Sequence, residues 1–254
     1  MPFNPLTASV PCIAWYDHSD NSTLTLSGTD ISQVNDKSSS GYNVVQATDN
    51  LKPITETISR RQFARQNKTA GAELRKDGSV ANFENLTEGS VYFVFNVPNT
   101  GTGGSDSSNI FDVQSSQITI EINRSSNPYQ IRFTVPYDGI VTPLTASFTA
   151  GTTYIAHVKF SGISRSRSLT IVNGNSSSDS QSGIGTTTTT GLETMVFGFL
   201  ASSVDFYVGE IIAFSGILNN SEETDCLNYL QSKWFEQITT VNSPISREDL
   251  HILY

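Results

Sequence analysis

The stretch ISQVNDKSSSGYNVVQATDNLKPI, residues 31–54, decides how the chain is read. It holds the Asp36-Lys37 pair, a Ser-Ser-Ser-Gly turn ending at Gly41, then Gln46 and Lys52-Pro53. Polar residues gathered this densely mark either an active site or a set of turns that fixes a fold. The rest of the sequence has to decide between the two.

Charged residues make up only 15% of the 254 positions, while Ser, Thr, Asn and Gly recur throughout. Such usage fits short strands joined by turns, and the length suffices for one large all-β domain with a substantial core. A net charge of −9 and a pI near 4.7 argue against a broad surface for nucleic acid or anionic membrane. No apolar run approaches the ~20 residues of a membrane span. Met1-Pro-Phe-Asn-Pro-Leu6 lacks the basic start and apolar run of a secretory signal, so synthesis in a cytoplasm is the expectation. Cys12 and Cys226 are too few for a disulfide framework and read as two free buried thiols, although a pair could form if the chain ends are neighbours. The Asn-x-Ser/Thr triplets at Asn21, Asn67, Asn85, Asn123, Asn175 and Asn219 read as chance.

Alternation supplies the strands. In residues 90–97, Val91, Phe93, Phe95 and Val97 share one face, with Tyr92, Val94 and Asn96 on the other. Residues 118–124 and 129–135 form a hairpin in which Ile118, Ile120 and Ile122 face Val135, Phe133 and Ile131. That register sets Glu121 opposite Arg132 on the outer face. Strands follow at 144–149, 153–162 and 168–173, where Asn173-Gly174 tolerates the positive φ of a tight turn. Further strands are expected at 193–202 and 205–216. Between Asn175 and Gly191 the small polar residues read as a low-complexity surface loop. One helix is expected near the end, with Asn220 as N-cap, Glu223 closing a capping box, and Cys226, Leu227, Leu230 and Trp234 along one apolar face. The division is a 1–11 extension, a single domain over 12–235, and a 236–254 tail.

Catalytic patterns fail one by one. There is no Gly-x-Ser-x-Gly elbow, no phosphate loop and no His-Glu-x-x-His. The Gly-rich 99–105 segment opens into no helix. His18 sits in a turn, His157 is expected to face solvent or a partner, and His251 lies in the tail. Retaining glycoside hydrolysis needs two carboxyls about 5–5.5 Å apart. Glu121 has Asn123 two residues on, and the odd spacing of Asp205 and Glu210 points them to opposite faces. Asp17, Asp20, Asp30 and Asp36 are spaced as turn residues, with a Ca²⁺ site as the sharper alternative. No other cofactor is implied. Arg60, Arg61 and Arg65 belong to the densest basic run, a solvated loop or short helix, or else a contact for an acidic partner.

The residues from Ile13 to Ile54 resemble the start of concanavalin A-like (laminin G/pentraxin-like) jelly-roll domains of the kind found in bacteriophage structural and tail proteins. Trp15, Asp17, Ser19-Asp20, Ser32-Gln33, Asp36-Lys37-Ser38, Gly41, Gln46 and Lys52-Pro53 carry the likeness. Gly209, Glu210, Leu218, Glu223, Leu230, Lys233 and Trp234 resemble the closing strand and helix of the same domains, and Asn173-Gly174 matches a strand-ending turn. Val34 and Lys52 depart from the usual Trp and Arg, and the Glu-x-Asp-x-x-Glu of the related glucanases is absent.

The resemblance implies a two-sheet antiparallel sandwich and turns where the first and last strands meet. It implies a non-catalytic virion component made in the host cytoplasm: a decoration, fibre or tail-associated protein contacting other virion proteins, with homo-oligomerisation and host-surface glycans as further expectations. A carbohydrate-binding lectin module is the alternative, with Tyr92, Tyr137, Tyr207 and residues 99–109 as candidates, and a glycoside hydrolase ranks last. Leu250, Ile252, Leu253 and Tyr254 end the tail in an apolar group that either packs back on its own domain or docks on another chain.

Overall fold

A computed structural model describes residues 3–66, 72–99, 107–113, 118–125, 128–135, 143–162, 166–172, 176–180, 194–198 and 205–235. The strands are β1 (Cys12–Asp17), β2 (Leu24–Ser27), β3 (Asp30–Val34), β4 (Val44–Val45), β5 (Ile54–Ile58), β6 (Arg61–Gln66), β7 (Glu73–Asp77), β8 (Glu88–Asn96), β9 (Ser107–Val113), β10 (Ile118–Asn123), β11 (Tyr129–Thr134), β12 (Leu144–Phe148), β13 (Thr153–Ser161), β14 (Ser166–Ile171), β15 (Ser176–Ser180), β16 (Thr194–Gly198) and β17 (Phe206–Phe214). The helix α1 (Asn220–Trp234) follows.

Antiparallel pairing arranges the strands in two layers. In the first, β8 lies between β17 and β13, β13 continues to β14 and β15, and the far side of β17 is shared by β1 and the β5–β6 hairpin. The second runs β2-β3-β4-β7-β16-β9-β10-β11-β12. Among the described residues a single pairing, Asp30 with Ile54, joins them. Val91, Phe93, Phe95, Ala156, Val158 and Ile211 from the first layer meet Phe111, Ile120, Ile131, Phe133 and Phe197 from the second in one core. This is the sandwich that the alternating pattern predicts.

A second apolar cluster lies on the outer face of the first layer. Trp15, Phe63, Tyr92, Val94, Ile155, Ile212 and Phe214 are covered there by Leu218, Cys226, Leu230 and Trp234. Phe3, Ala8 and Val10 pack onto the same cluster, and Ser9 donates through its hydroxyl to Glu222 at 2.6 Å. Strands such as β8 and β17 are therefore buried on both faces, which is why their sequences run apolar almost without break.

The β10–β11 register is the one expected. Ile120 pairs with Phe133, Ile122 with Ile131, and Glu121 meets Arg132 at 3.1 Å. Four expectations need correction. The N-cap is Asn219, not Asn220, and its capping box closes on Glu222. Both Asn residues have a Glu three positions on, so local sequence cannot separate them. The basic run is neither loop nor helix: Arg61–Gln66 is β6, turned from β5 through Ser59 and Arg60 at φ 49° and 69°. The loop expected from Asn175 begins with β15, paired to β14. His157 faces neither solvent nor a partner; it is 5% exposed beneath α1, with its ring stacked on Tyr92 at 5.3 Å.

Candidate functional site

Trp15, Asp17, Lys233 and Trp234, four of the residues that carry the sequence resemblance, meet around a fifth, one buried carboxylate. Glu210, fully buried on β17, accepts from Trp15 Nε1 at 2.7 Å, Tyr229 Oη at 2.8 Å, Lys233 Nζ at 2.8 Å and Trp234 Nε1 at 2.9 Å. Lys233 also donates to Asp17 at 2.6 Å, and Lys37 reaches Asp17 at 3.2 Å and Asp20 at 2.9 Å while lying 4.4 Å from the Trp15 ring. A bulge at Gly209 makes this possible. Counted straight through, Asp205 and Glu210 fall on opposite faces; the register shift between Val208 and Glu210 instead puts Glu210 on the outer face with Tyr207. No Cβ fits at 209, because it would lie 2.6 Å from the Trp234 indole.

Asp36 works on the other side of β1. It accepts from the backbone N–H groups of Trp15 (2.9 Å), Ser38 (2.8 Å) and Tyr42 (3.0 Å), so it closes the Ser38–Gly41 turn against the first strand. Asp17 and Asp20 make matching turns with Ser19 and Ser22. The polar stretch at 31–54 is thus built into the fold. Lys37, Lys233 and the turn N–H groups hold these carboxylates, and among the described residues no group of three or more His, Cys, Asp or Glu side chains is placed to hold a metal ion.

The electrostatics follow from burial and pairing. Burial alone would raise the Asp17 carboxyl, but the Lys233 ammonium, with Ser19 and Lys37, outweighs it and holds Asp17 below the usual range. The Ser22 hydroxyl and Lys37 bring Asp20 down to about 2. Burial pushes the His18 and His157 imidazoles down to about 4, so both are neutral near pH 7. Burial also raises both thiols, Cys12 to about 12, and an unionised thiol is a poor nucleophile.

The remaining candidates are scattered. Arg60 is exposed on the β5–β6 turn, and Arg61 begins β6. Arg65 forms ion pairs with Glu56 (3.1 Å) and Asp205 (3.0 Å). Tyr92 is fully buried and Tyr207 is 7% exposed, so neither ring is open to stack on a sugar. Tyr137, Asn173, Gly174, Leu250, Ile252, Leu253 and Tyr254 lie outside the described residues.

Another group emerges at one end of the sandwich, where β8, β10 and β12 finish and β11 and β13 begin. Tyr129 pairs with Phe148 across β11–β12, their rings 6.0 Å apart, and Tyr154 packs on Phe148 at 6.1 Å and Phe95 at 5.7 Å. Tyr129 and Tyr154 are only partly buried. The Arg124 guanidinium sits 5.1 Å from the Tyr129 ring and donates to its hydroxyl at 3.3 Å. The partly open rings can stack on a sugar, and the Tyr129 hydroxyl, which accepts from the buried Arg124, can donate to one. Sequence reading passed over these three because each sits on an apparently ordinary strand end; the one signal was a Tyr five residues after an Arg across a hairpin.

No protein-family model matches the sequence, and no curated protein matches it. Solved structures do share its architecture. The binding domain of botulinum neurotoxin serotype D aligns at a TM-score of 0.58 and 14% identity over 87% of this chain and 51% of that one. The binding domain of botulinum neurotoxin DC in complex with SialylT aligns at 0.51 and 13%, over 87% and 52%. Trypanosoma rangeli sialidase aligns at 0.54 and 11%, over 87% and 33%. The chain spans about half the length of the toxin domains and a third of the sialidase, and identities this low speak to fold alone. The protein shares its all-β sandwich fold with these structures and has a C-terminal helix laid on one sheet.

Proposed function

We propose that the chain is a non-catalytic binding module whose ligand is a glycan, held at the end of the sandwich where Arg124, Tyr129 and Tyr154 converge. The observation that carries the reading is the pair of partly open tyrosine rings with Arg124 beside them. It is supported by the architecture shared with a toxin domain solved in complex with SialylT and with a sialidase. The most elaborate polar network, around Glu210, is already filled by indole, phenol and ammonium donors, which favours a structural role for it.

The test is a glycan array followed by titration of any retained sugar against the wild type, Tyr129→Ala and Tyr154→Ala, with and without Ca²⁺. Binding that falls at least about tenfold in both variants, about 1.4 kcal/mol, supports the site. Absence of any glycan signal, or binding untouched by both substitutions, overturns it. The narrower setting, attachment of a virion through an oligomeric component, rests on the resemblance of residues 13–54 and 204–234. Light scattering on the same sample addresses that part: a stable oligomer agrees with it and a monomer opposes it.

A further inference from the structure

Helix α1 is fastened to the first layer at both ends, and a buried histidine lies under each. At the N-terminal end, His157 of β13 stacks on Tyr92, with an interplanar angle of 8°, and its Nδ1 is 3.6 Å from Glu223 Oε1. The same carboxylate is held by Lys159, whose Nζ is 3.0 Å from both oxygens. Among the described residues, His157 Nδ1 and Tyr92 Oη have no hydrogen-bond partner. At the C-terminal end, His18 is 1% exposed, its backbone N–H donates to Gly209 O at 2.9 Å, and its Nδ1 is 3.3 Å from that same oxygen. Gly209 is where Trp234 rests.

We infer that α1 is an acid-released latch: protonation of His157 and His18 lifts the helix off the outer face of the first layer while the sandwich beneath stays folded. Each imidazole is buried with a lysine ammonium among the groups that face it. The groups facing His157 are Glu223 from α1, Tyr92 from β8, itself close to Cys226, and Lys159 on its own strand. An imidazolium there would share Glu223 with Lys159, so what opposes it is the Lys159 ammonium and its own burial beneath α1. The charged groups facing His18 are its neighbour Asp17 and, from α1, Lys233, while Gln62 of β6 donates to its carbonyl. Asp17 is already shared by Lys233 and Lys37, so a third cation has no free carboxylate. Burial, which keeps both rings neutral, acts in the same direction.

The sandwich has its own reason to survive release. Its core between the layers contains no residue of α1, whereas Cys226, Leu230 and Trp234 belong wholly to the outer cluster. Release would uncover Trp15, Tyr92, Ile212 and Phe214, an apolar face that neutral pH hides. The chain also carries its own reporters. Its two cysteines, Cys12 and Cys226, and its two tryptophans, Trp15 and Trp234, all lie in the cluster the helix covers.

The experiment is thiol labelling of the full chain with 4,4′-dithiodipyridine, which reacts in acid, from about pH 7 to about pH 4, alongside tryptophan emission and far-UV circular dichroism. Labelling should accelerate as the pH falls, by up to about tenfold per pH unit for each histidine protonated, hence up to about a hundredfold for both. Tryptophan emission should shift to the red while the sheet signal holds. His157→Phe keeps a ring on Tyr92 and should reduce the dependence to about tenfold per pH unit. NMR titration of both imidazoles in the wild type should track the labelling, which keeps the test open if that variant does not fold. Thiols that stay protected to about pH 4 overturn the latch. So does loss of the sheet signal in step with labelling, or a pH dependence that His157→Phe leaves unchanged and the imidazole titrations do not follow.

Discussion

Trp234 rests on Gly209: a methyl group at position 209 would fall 2.6 to 2.9 Å from three carbons of the indole, whose Nε1 donates to Glu210 at 2.9 Å. The glycine serves as a seat, and the ring cannot shift freely without breaking that bond. Gly209→Ala is expected to lower stability by about 1–3 kcal/mol, as overpacking does in well-packed sites. Urea denaturation followed by circular dichroism measures it. An unchanged midpoint would show that the indole can slide.

Glu210 is the acceptor that four donors share, so removing it deprives two indole N–H groups and the Tyr229 hydroxyl of their acceptor and leaves the Lys233 ammonium with Asp17 and Tyr229. Glu210→Ala should cost about 3–5 kcal/mol, the range for breaking a buried ion pair by deleting one partner. Glu210→Gln should cost less, because the amide oxygen still accepts. Melting temperatures of the two variants should fall in that order. Equal losses would mean that charge alone matters at this site.

Stability should fall as the medium is acidified, and the sign follows from the histidines. His18 and His157 have folded-state pKa values lowered from 6.5 to about 4. Between those values the unfolded chain binds more protons than the folded one. Stability therefore drops as pH is lowered through that window, by at most about 1.4 kcal/mol per pH unit for each histidine. At still lower pH the contribution of Asp17, whose carboxyl is depressed in the fold, is lost as well. Urea midpoints measured at half-unit intervals should show this slope, and a flat profile would contradict the burial of both rings.

The β5–β6 turn offers a gain. Ser59 and Arg60 both occupy positive φ, a region that costs an ordinary residue about 1–2 kcal/mol. Replacing the pair by Asn-Gly, which favours two-residue hairpin turns, should stabilise the protein by about 1 kcal/mol or more. A rise in melting temperature checks it. A fall would mean that one of the two side chains contributes more than the backbone strain removes.

Register and face were readable wherever the alternation was regular. The β10–β11 hairpin followed from three isoleucines, and Glu121 met Arg132 as its parity required. Parity failed at β17 because one bulge at Gly209 moves Glu210 to the other face, and the only local sign of it was a glycine inside an apolar strand. Asn219 and Asn220 are equivalent in isolation. The choice between them fell to distant partners, since Glu222 answers to Ser9 while Glu223 turns to Lys159 and His157. His157 looked exposed because alternation tells which face a residue is on, not whether another element covers that face.

The sequence by itself determined the class of fold: strands whose alternating residues must share a core, turns fixed by Asp and Gly, and one amphipathic helix. These are local consequences of side-chain periodicity and backbone preference, so they can be read in order along the chain. Only the tertiary structure decided that Trp15, Asp17, Lys37, Glu210, Lys233 and Trp234 close into one buried network, and that Arg124, Tyr129 and Tyr154 stand together at a partly open end. Buried polar groups must find partners, and those partners are set by which distant strands the fold brings side by side.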